Sequence, residues 1–303
     1  MKPIFLSLAL SLGLSSCQTP VSTEAYWVNS TPSPAPVPLK DDLRVAFVGD
    51  LGANDDTRAV LDLIRREKTD LFVLLGDFDY QDKPQLFAKL LDEHLGPVPL
   101  LAVIGNHDKK EWNGYISVLA KRMRAIPGLR CEGEIGVKML CEYQGLSLVF
   151  SGIGLRGEGH EAFLKEALTK AESPFKICVW HMNQAKMQAG TKKDQVGWDA
   201  YEICRSEGAM IATGHEHSYS RTYLLSDFEN QTVVNHEPEL VLNRGQSFAF
   251  VSGLGGKSIR PQKPVSPLPG SAIVEEPWWA KVYTADQQAK ASVLFCDYRV
   301  EKD

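Results

Sequence analysis

Short apolar runs alternate with amphipathic segments along the first two thirds of the chain. The first apolar run covers residues 43–48. It is followed at residues 56–68 by a segment whose apolar positions, among them Val60, Leu61 and Ile64, recur at helical spacing. The same alternation predicts further strands at residues 71–75, 98–104, 146–151, 175–180 and 209–213, and further helices at residues 85–95, 115–123, 160–171 and 198–206.

Strand patterns dominate the last third of the chain. Beyond His217 we predict strands at residues 247–252, 279–284 and 291–297. Strands that alternate with helices are typical of an α/β sandwich, in which the sheets lie inside and the helices outside. The chain has 303 residues and a hydrophobic content of 44%, which is enough for one domain with a large core.

Metal-competent residues follow the predicted strands, at the point where each strand ends. Because ligands of open α/β sheets collect beyond the carboxyl ends of the strands, we expect these residues to lie close together. The motifs are Asp50-Leu51-Gly52, Gly76-Asp77-Phe78-Asp79-Tyr80, Gly105-Asn106-His107-Asp108, Cys178-Val179-Trp180-His181 and Gly214-His215-Glu216-His217. Their carboxylates, amide, imidazoles and phenol are the ligands that two adjacent metal ions require, which predicts a hydrolase of phosphate esters.

Each motif on its own has a simpler interpretation. A Gly-Asp pair after a strand is most often a turn, and a single histidine is usually a surface or core residue. The common placement of the motifs, which contain four of the seven histidines, favours a metal site. The other histidines, His94, His160 and His236, we interpret as structural, and Asp79 we interpret as a solvated carboxylate.

In order and spacing, the motifs resemble the signature of calcineurin-like metallophosphoesterases, and more closely that of the purple acid phosphatase branch. The branch is indicated by Asp50-x-Gly52, where other members have Asp-x-His, together with Tyr80. The likeness covers residues 43–298 and includes the glycine-rich segment 252–256. It implies a four-layer α/β/β/α metallophosphoesterase sandwich of two mixed β-sheets flanked by helices, over a domain of residues 43–303.

The resemblance also implies the ligands of a dinuclear metal site. The expected ligands are Asp50, Tyr80 and His217 for the first ion and Asn106, His181 and His215 for the second, with Asp77 bridging them. Phenolate and carboxylate ligands stabilise Fe³⁺, whereas imidazoles and an amide suit a divalent ion such as zinc, manganese or ferrous iron. A metal-activated hydroxide is expected to attack a phosphomonoester or phosphodiester in line.

His107 corresponds to the family position that protonates the leaving oxygen or stabilises the transition state, and Asp108 is expected to orient it. Met182 departs from the pattern, because many purple acid phosphatases have a second histidine there. The departure leaves His107 as the only obvious proton donor, and it keeps diesters or another ester class open as substrates. The neighbouring aromatic residues Trp112, Tyr115 and Trp180 are interpreted as core. The alternative is that they line a substrate pocket together with Asn113 and residues 187–198.

The charge of the chain limits its partners. A formal net charge of -5 gives no electrostatic reason to expect a nucleic acid partner. It does not exclude small phosphorylated substrates, because bound metal ions dominate the field around them. The oligomeric state is left open by the sequence.

The first residues predict an export signal. Lys2 precedes an apolar run at residues 4–14 that is too short to span a bilayer, and small residues follow. The segment ending at Cys17 resembles the lipobox of bacterial lipoproteins, which implies a lipid anchor on Cys17; the alternative is an ordinary signal peptide cleaved near Ser16. Gln18 replaces the aspartate of an inner-membrane retention signal, which favours the outer membrane of the cell envelope, facing the periplasm. Residues 18–42 are rich in proline and predict an extended tether.

Export makes disulfides possible. Besides Cys17 the chain has five cysteines, and an odd number leaves at least one free thiol in an oxidising compartment. Cys131 and Cys141 flank a glycine-containing segment that suits a hairpin, so they are the expected disulfide. Cys178 and Cys204 lie in apolar surroundings and are predicted to be small core residues without a disulfide.

A second hypothesis for the whole chain is a non-catalytic, metal-containing binding module on the cell envelope. The substitution at Met182 favours it, whereas the complete ligand set favours the enzyme. Because both hypotheses include bound metal, turnover of phosphate esters is the observation that separates them.

Overall fold

The apolar runs form strands and the amphipathic segments form helices. The structure, a computed structural model, describes residue 40, residues 42–263 and residues 276–299. In chain order, the strands are β1 (Asp42–Val48), β2 (Leu71–Leu74), β3 (Leu100–Ala102), β4 (Arg130–Glu134), β5 (Lys138–Tyr143), β6 (Leu146–Ser151), β7 (Phe175–Val179), β8 (Met210–Thr213), β9 (Tyr219–Thr222), β10 (Leu224–Asp227), β11 (Thr232–Asn235), β12 (Ala249–Ser252), β13 (Trp279–Tyr283) and β14 (Leu294–Arg299). The α-helices are α1 (Asp55–Arg66), α2 (Pro84–Leu90), α3 (Trp112–Arg124), α4 (His160–Lys170) and α5 (Trp198–Ser206).

The predicted export signal of residues 1–17, with Cys17, lies outside the described residues, as does the tether apart from Lys40 and Asp42. Within the predicted domain, residues 264–275 and 300–303 also lie outside them. In the part of the chain that the structure describes, none of the helices combines the length and apolar character that a membrane crossing requires.

The smaller of the two main sheets has four strands in the order β14-β1-β2-β3. Strands β1, β2 and β3 run parallel, and β14 pairs with β1 in the antiparallel direction. All four residues of β2 are buried, as expected of a parallel strand that is covered on both faces. The parallel direction places the carboxyl ends of β1, β2 and β3 at one edge of the sheet.

The larger sheet has the strand order β13-β9-β12-β8-β7-β6-β5-β4. Its centre is parallel, from β6 through β7 and β8 to β12, and antiparallel strands extend it on both sides. All six residues of β6 are buried. Strands β10 and β11 form a separate two-stranded sheet.

The two sheets face each other and the helices cover their outer sides. Phe47 of β1 meets Phe250 of β12 edge-on, with ring centroids 5.4 Å apart, so the two sheets share one apolar core. Helix α3 packs on β3, whereas α4 packs on β5 and β6 and α5 on β8. This is the four-layer α/β/β/α sandwich of two mixed sheets that the resemblance implied.

The predicted elements match the observed ones most closely in segments whose apolar periodicity extends over many residues. The segment predicted as a helix at residues 56–68 is α1, which begins after Asn54; the Asn54 side chain accepts a hydrogen bond from the Thr57 N–H and caps the helix. The helix predicted at residues 85–95 changes after Leu90 into a π-helical turn, Leu91–Leu95, and ends at Gly96 with a positive φ of 64°. The short strands β9, β10 and β11 were not predicted individually.

The cysteines agree with the predictions in part. Cys131 and Cys141 are bonded across the β4–β5 hairpin, where they face each other in register, which matches the expected disulfide. The prediction that Cys178 and Cys204 are unbonded core residues is wrong, because the structure joins them in a second disulfide between β7 and α5. Both are fully buried, and their pairing depends on α5 lying over β7, which the sequence pattern does not reveal. Among the described residues Cys296 keeps a free thiol.

Candidate metal centre

The five polar motifs meet where the carboxyl ends of strands from the two sheets converge. Five motif residues lie two to four positions beyond the end of a strand: Asp50 after β1, Asp77 after β2, Asn106 after β3, His181 after β7 and His215 after β8. Backbone hydrogen bonds tie these ends together; the Asp50 N–H, for example, donates to the Gly76 carbonyl at 3.0 Å. The strand-end placement predicted from the sequence therefore brings the expected ligands into one site.

Four of the expected ligands have a left-handed backbone. They are Asp50 with φ 58°, Asp77 with φ 57°, Tyr80 with φ 57° and His215 with φ 70°. Such a conformation costs about 1 to 3 kcal/mol for a residue other than glycine and is concentrated at functional sites. The surroundings hold it in place here: the His215 N–H, for instance, donates to Asp50 Oδ2 at 2.8 Å.

Two glycines allow the loops to approach each other closely. A Cβ atom at Gly105 would lie 2.2 Å from Asp77 Oδ1, and a Cβ atom at Gly76 would lie 2.5 Å from His181 Nδ1. Any side chain at either position would push a predicted ligand out of place. The glycines of the motifs thus make room for the ligands beside them.

The first group of donor atoms comes from Asp50, Tyr80 and His217. The Tyr80 hydroxyl lies 2.9 Å from Asp50 Oδ1 and 3.0 Å from His217 Nε2. The His217 Nε2 atom lies 3.3 Å from the same Asp50 oxygen. At the other ring nitrogen, Ser258 Oγ is 2.5 Å from His217 Nδ1 and fixes the direction of the imidazole. These three side chains are the set expected for the first metal ion.

The second group comes from Asp77, Asn106, His181 and His215. The His181 Nε2 atom lies 3.2 Å from Asn106 Oδ1 and 3.3 Å from Asp77 Oδ1. The His181 Nδ1–H donates to the Leu75 carbonyl at 2.7 Å, so Nε2 is the ring nitrogen that faces the other donor atoms and would bind a metal ion on losing its proton. Ligand atoms of Asp77, His181 and His215 all lie within 4.8 Å of one another.

The donor atoms fit metal ions. Both ring nitrogens of His215 are buried and have no hydrogen-bond partner among the described residues. A buried polar atom without a partner is rare, and a bound metal ion satisfies it. Imidazole nitrogens together with carboxylate, amide and phenol oxygens are also the ligand types that zinc, manganese and iron take in proteins.

The ionisation of each candidate ligand depends on burial and on the charges of its neighbours. Burial and the carboxylates of Asp50 and Asp77 raise the pKa of the Tyr80 phenol far above its usual range, so a tyrosinate needs a cation beside it. Burial opposes ionisation of Asp77, but the neighbouring His181 outweighs it, and the pKa of Asp77 falls below its usual range. Burial, followed by the charges of His181 and Lys192, lowers the pKa of His215 to about 2, so its imidazole is neutral and able to ligate.

His107 stands beside the two groups on the solvent side. Its ring is exposed and lies against the Tyr80 ring, with centroids 4.4 Å apart. Its backbone N–H donates to Asp77 Oδ1 at 2.9 Å, which fixes the loop that carries it. The structure therefore leaves the His107 imidazole free to reach a substrate at the centre.

Asp108 has a different place from the one predicted. Its fully buried carboxylate accepts hydrogen bonds from the backbone N–H groups of Asp77 and Gly105 at Oδ2, at 2.9 and 2.7 Å, and of Phe78 at Oδ1, at 2.9 Å. No hydrogen bond joins this carboxylate to the His107 ring in the part of the chain that the structure describes, so the expectation that Asp108 orients the ring is not met. The carboxylate instead joins the loop after β2 to the loop after β3.

Other side chains near the motifs are structural. Asp79, expected to be solvated, is buried because its carboxylate accepts hydrogen bonds from the Gln81 and Lys83 N–H groups and from the Tyr115 hydroxyl. Met182 is buried in the core beneath α4 and α5. The favoured interpretation of the aromatic residues is confirmed, since the following are buried in the core: Trp112, Tyr115 and Trp180. The remaining three histidines lie outside the two donor groups, with His160 held by Ser151 and Arg156.

Several charged or polar side chains around the centre were not among the predicted site residues. Lys257 and Ser258 directly follow the glycine-rich segment 252–256, which was the available signal for them. Arg260 lies further along the same loop, and Lys192 lies in the stretch 187–198 that was weighed as part of a substrate pocket. Burial lowers the pKa of Lys192 to about 8, while the nearby Asp50 carboxylate acts in the opposite direction. Glu216, between the two histidines of its motif, is buried and faces Arg260 at 3.5 Å.

Comparison with known proteins identifies the family. Residues 43–219 match the model of the calcineurin-like phosphoesterase family. This match covers more than half of the chain, and the chain therefore belongs to the calcineurin-like phosphoesterase family, a family of phosphoric ester hydrolases. The resemblance drawn from the motifs is confirmed.

Individual relatives lie in the predicted branch. The chain is 28% identical over 204 residues to purple acid phosphatase 21 of Arabidopsis thaliana, a match that covers 61% of this chain and 46% of the relative. The chain thus spans about half the length of this curated relative.

Solved structures share the fold. Purple acid phosphatase PPD1 from yellow lupin (Lupinus luteus) seeds has a TM-score of 0.55 at 16% identity, over 82% of this chain and 49% of that one. PhoD has a TM-score of 0.54 at 14% identity, over 88% and 66% of the two chains. GAP50, the anchor in the inner membrane complex of Plasmodium, has a TM-score of 0.52 at 13% identity, over 85% and 81%.

The role of Asp108 can be tested by Asp108→Asn, measured as urea unfolding in the presence of a chelator. The amide keeps the size of the side chain but has one oxygen in place of two, so a buried backbone N–H loses its acceptor. We expect the free energy of unfolding to fall by about 1 to 3 kcal/mol. Chelation removes the contribution of bound metal to the measured stability.

The control for this change is Asp82→Asn. Asp82 lies in the same loop region, and its carboxylate pairs with Lys110 at 3.0 Å on the surface. Replacing it is expected to alter stability by less than about 0.5 kcal/mol. Equal stability of the Asp108 and Asp82 variants would show that the Asp108 carboxylate does not hold the two loops together.

Proposed function

We propose that this chain hydrolyses phosphate esters in a metal-dependent reaction at a dinuclear site. The observation that carries the proposal is the pair of adjacent donor groups, one around His217 Nε2 and one around His181 Nε2, at the converging strand ends. Membership of the calcineurin-like phosphoesterase family supports the same reaction. Likeness to purple acid phosphatases supports a phosphomonoester or phosphodiester as the substrate.

The side chains of each donor group are suited to bind one metal ion. Asp50, Tyr80 and His217 would hold the first ion, and a phenolate with a carboxylate suits Fe³⁺. Asn106, His181 and His215 would hold the second, a divalent ion such as zinc, manganese or ferrous iron, with Asp77 shared between them. When bound, the ions supply Lewis acidity, which offsets the charge of the phosphate and acidifies a water molecule.

The side chains of the protein contribute the remaining steps. The exposed His107 imidazole is placed to donate a proton to the leaving oxygen. Asp77 fixes the position of His107 by accepting its backbone N–H. The thioether of Met182 has no proton to donate and is buried in the core, so it does not replace the histidine of other family members.

The metal-loaded protein is expected to turn over generic phosphomonoesters or phosphodiesters, and Asp77→Ala is expected to abolish this turnover. The change removes the carboxylate that we propose to be shared by the two donor groups. The partly exposed Asp82 of the same region provides a control, Asp82→Asn. Turnover and metal content are measured on the same samples. Near-normal activity of the Asp77 variant would refute the dinuclear assignment, and a metal-loaded but inactive wild type would favour the binding module.

The same preparation reports the identity of the first ion. A tyrosinate bound to Fe³⁺ gives a purple charge-transfer band, which Tyr80→Phe is expected to remove. A colourless, active wild type that contains zinc or manganese would show that the ferric assignment is wrong while leaving the hydrolase intact.

The part played by His107 depends on the leaving group. Because a poor alkyl leaving group needs a proton and p-nitrophenolate does not, His107→Ala is expected to lower kcat for an alkyl phosphate by about a hundredfold or more. The loss with p-nitrophenyl phosphate is expected to stay below about tenfold. The exposed neighbour Lys109 provides the control, Lys109→Ala. Equal losses on both esters would mean that His107 does not act as the proton donor.

We also propose that the protein is a lipid-anchored protein of the bacterial cell envelope. The proposal is supported by the lipobox-like segment that ends at Cys17. In cells fed an alkyne-labelled fatty acid, we expect the full chain to be labelled and to sediment with outer membranes. Cys17→Ala is expected to abolish both, whereas Ser16→Ala is the matched control. Unlabelled wild-type protein that is released in soluble form would indicate the ordinary signal peptide.

A further inference from the structure

Three basic side chains flank the metal centre without belonging to the expected ligand set: Lys192, Lys257 and Arg260. They come from two loops, one between β7 and α5 and one after β12. The loops are joined by a hydrogen bond from the Lys263 N–H to the Ala189 carbonyl at 2.7 Å. The three cations therefore belong to one connected rim beside the centre.

Lys257 approaches the centre from the side of Tyr80. Its backbone N–H donates to the Asp50 carbonyl at 3.0 Å, and this bond fixes the turn after the glycine-rich segment. Its ammonium lies 4.5 Å from the centroid of the Tyr80 ring, the same ring that His107 contacts. The side chain is exposed, so its charge is open to a ligand.

Lys192 approaches from the side of His215. Its half-buried ammonium donates a hydrogen bond to the His215 carbonyl, and its own carbonyl accepts one from Gln188 Nε2 at 2.9 Å. Among the described residues no carboxylate forms an ion pair with Lys192. Burial lowers the pKa of Lys192 and outweighs the charges of the nearby carboxylates that raise it: Asp50, Glu216 and Asp77. A partly buried cation without an ion pair is costly, and an anionic ligand would offset that cost.

Arg260 completes the rim beside His217. Its backbone N–H donates to the His217 carbonyl at 2.9 Å, and Nη1 lies 3.5 Å from Oε2 of the buried Glu216. The guanidinium is only partly buried, so further N–H groups remain for a ligand. Glu216 carries one negative charge against the three cations, and the rim keeps a surplus of positive charge.

We propose that Lys192, Lys257 and Arg260 form an anion subsite that binds a second negatively charged group of the substrate, a phosphate or a carboxylate, beyond the scissile phosphate. The inference rests on the proposed function, because it assumes that the scissile phosphate occupies the metal centre. It names the substrate class as phosphate esters whose leaving group is itself anionic. Basic side chains that hydrogen-bond such a group favour it over a neutral leaving group.

The subsite can be tested by equilibrium binding, without turnover. Phosphonoacetate carries a phosphonate and a carboxylate, whereas methylphosphonate has a methyl group in place of the carboxylate arm. Calorimetric titration of the metal-loaded protein with both compounds is expected to give a Kd for phosphonoacetate at least about tenfold lower. Lys192→Gln and Lys257→Gln are each expected to raise that Kd by about tenfold and to leave the Kd for methylphosphonate within about twofold.

Lys193→Gln is the matched control, since Lys193 is the exposed neighbour of Lys192. Arg260→Lys serves as a further variant that keeps the charge and loses the planar guanidinium; metal content is measured for every variant. If the lysine variants change both Kd values equally, or neither, the subsite is wrong. Turnover of phenyl phosphate tests the proposed function separately: a lysine-dependent preference for phosphonoacetate without ester turnover would refute the hydrolase and retain the subsite.

Discussion

One buried carboxylate holds the centre of this molecule together. Asp108 accepts three backbone N–H groups from two loops, and those loops carry Asp77, Asn106 and His107. This link adds to the pairing of β2 with β3 and to the hydrogen bond from the His107 N–H to Asp77, and together they hold the ligands in one arrangement. The left-handed backbone at Asp77 is tolerable for the same reason, because its own N–H is bound to the carboxylate. The geometry of the metal centre therefore begins with an acidic group that contacts the backbone of a ligand and contributes no donor atom itself.

The strand ends explain how much of the site the sequence reveals. Asp50, Asp77 and His181 each follow an apolar run, and parallel strands place their carboxyl ends at one edge, so their proximity was predictable. The same reasoning failed for Asp108, since its position next to His107 in the chain says nothing about where its carboxylate points. Local sequence identifies which groups arrive at an edge, while the turns between them decide which groups meet.

Contacts between distant segments account for the remaining differences. The Cys178–Cys204 bond requires α5 to lie over β7, and the position of Lys192 requires its loop to lie over His215. Neither of these contacts between distant segments produces a periodic pattern in the sequence. The helices, in contrast, are specified locally by their apolar spacing and by caps such as Asn54, and their predicted limits are close to the observed ones.

The disulfide between β7 and α5 has a consequence for the biogenesis of the protein. His181 lies two residues beyond the end of β7, and the covalent bond fastens this strand to α5. Thiols remain reduced in the compartment where proteins are synthesised, so under the proposed envelope location this crosslink would form only after export. One half of the metal centre would then gain its final rigidity late, and maturation of the site would be coupled to the redox chemistry of the envelope.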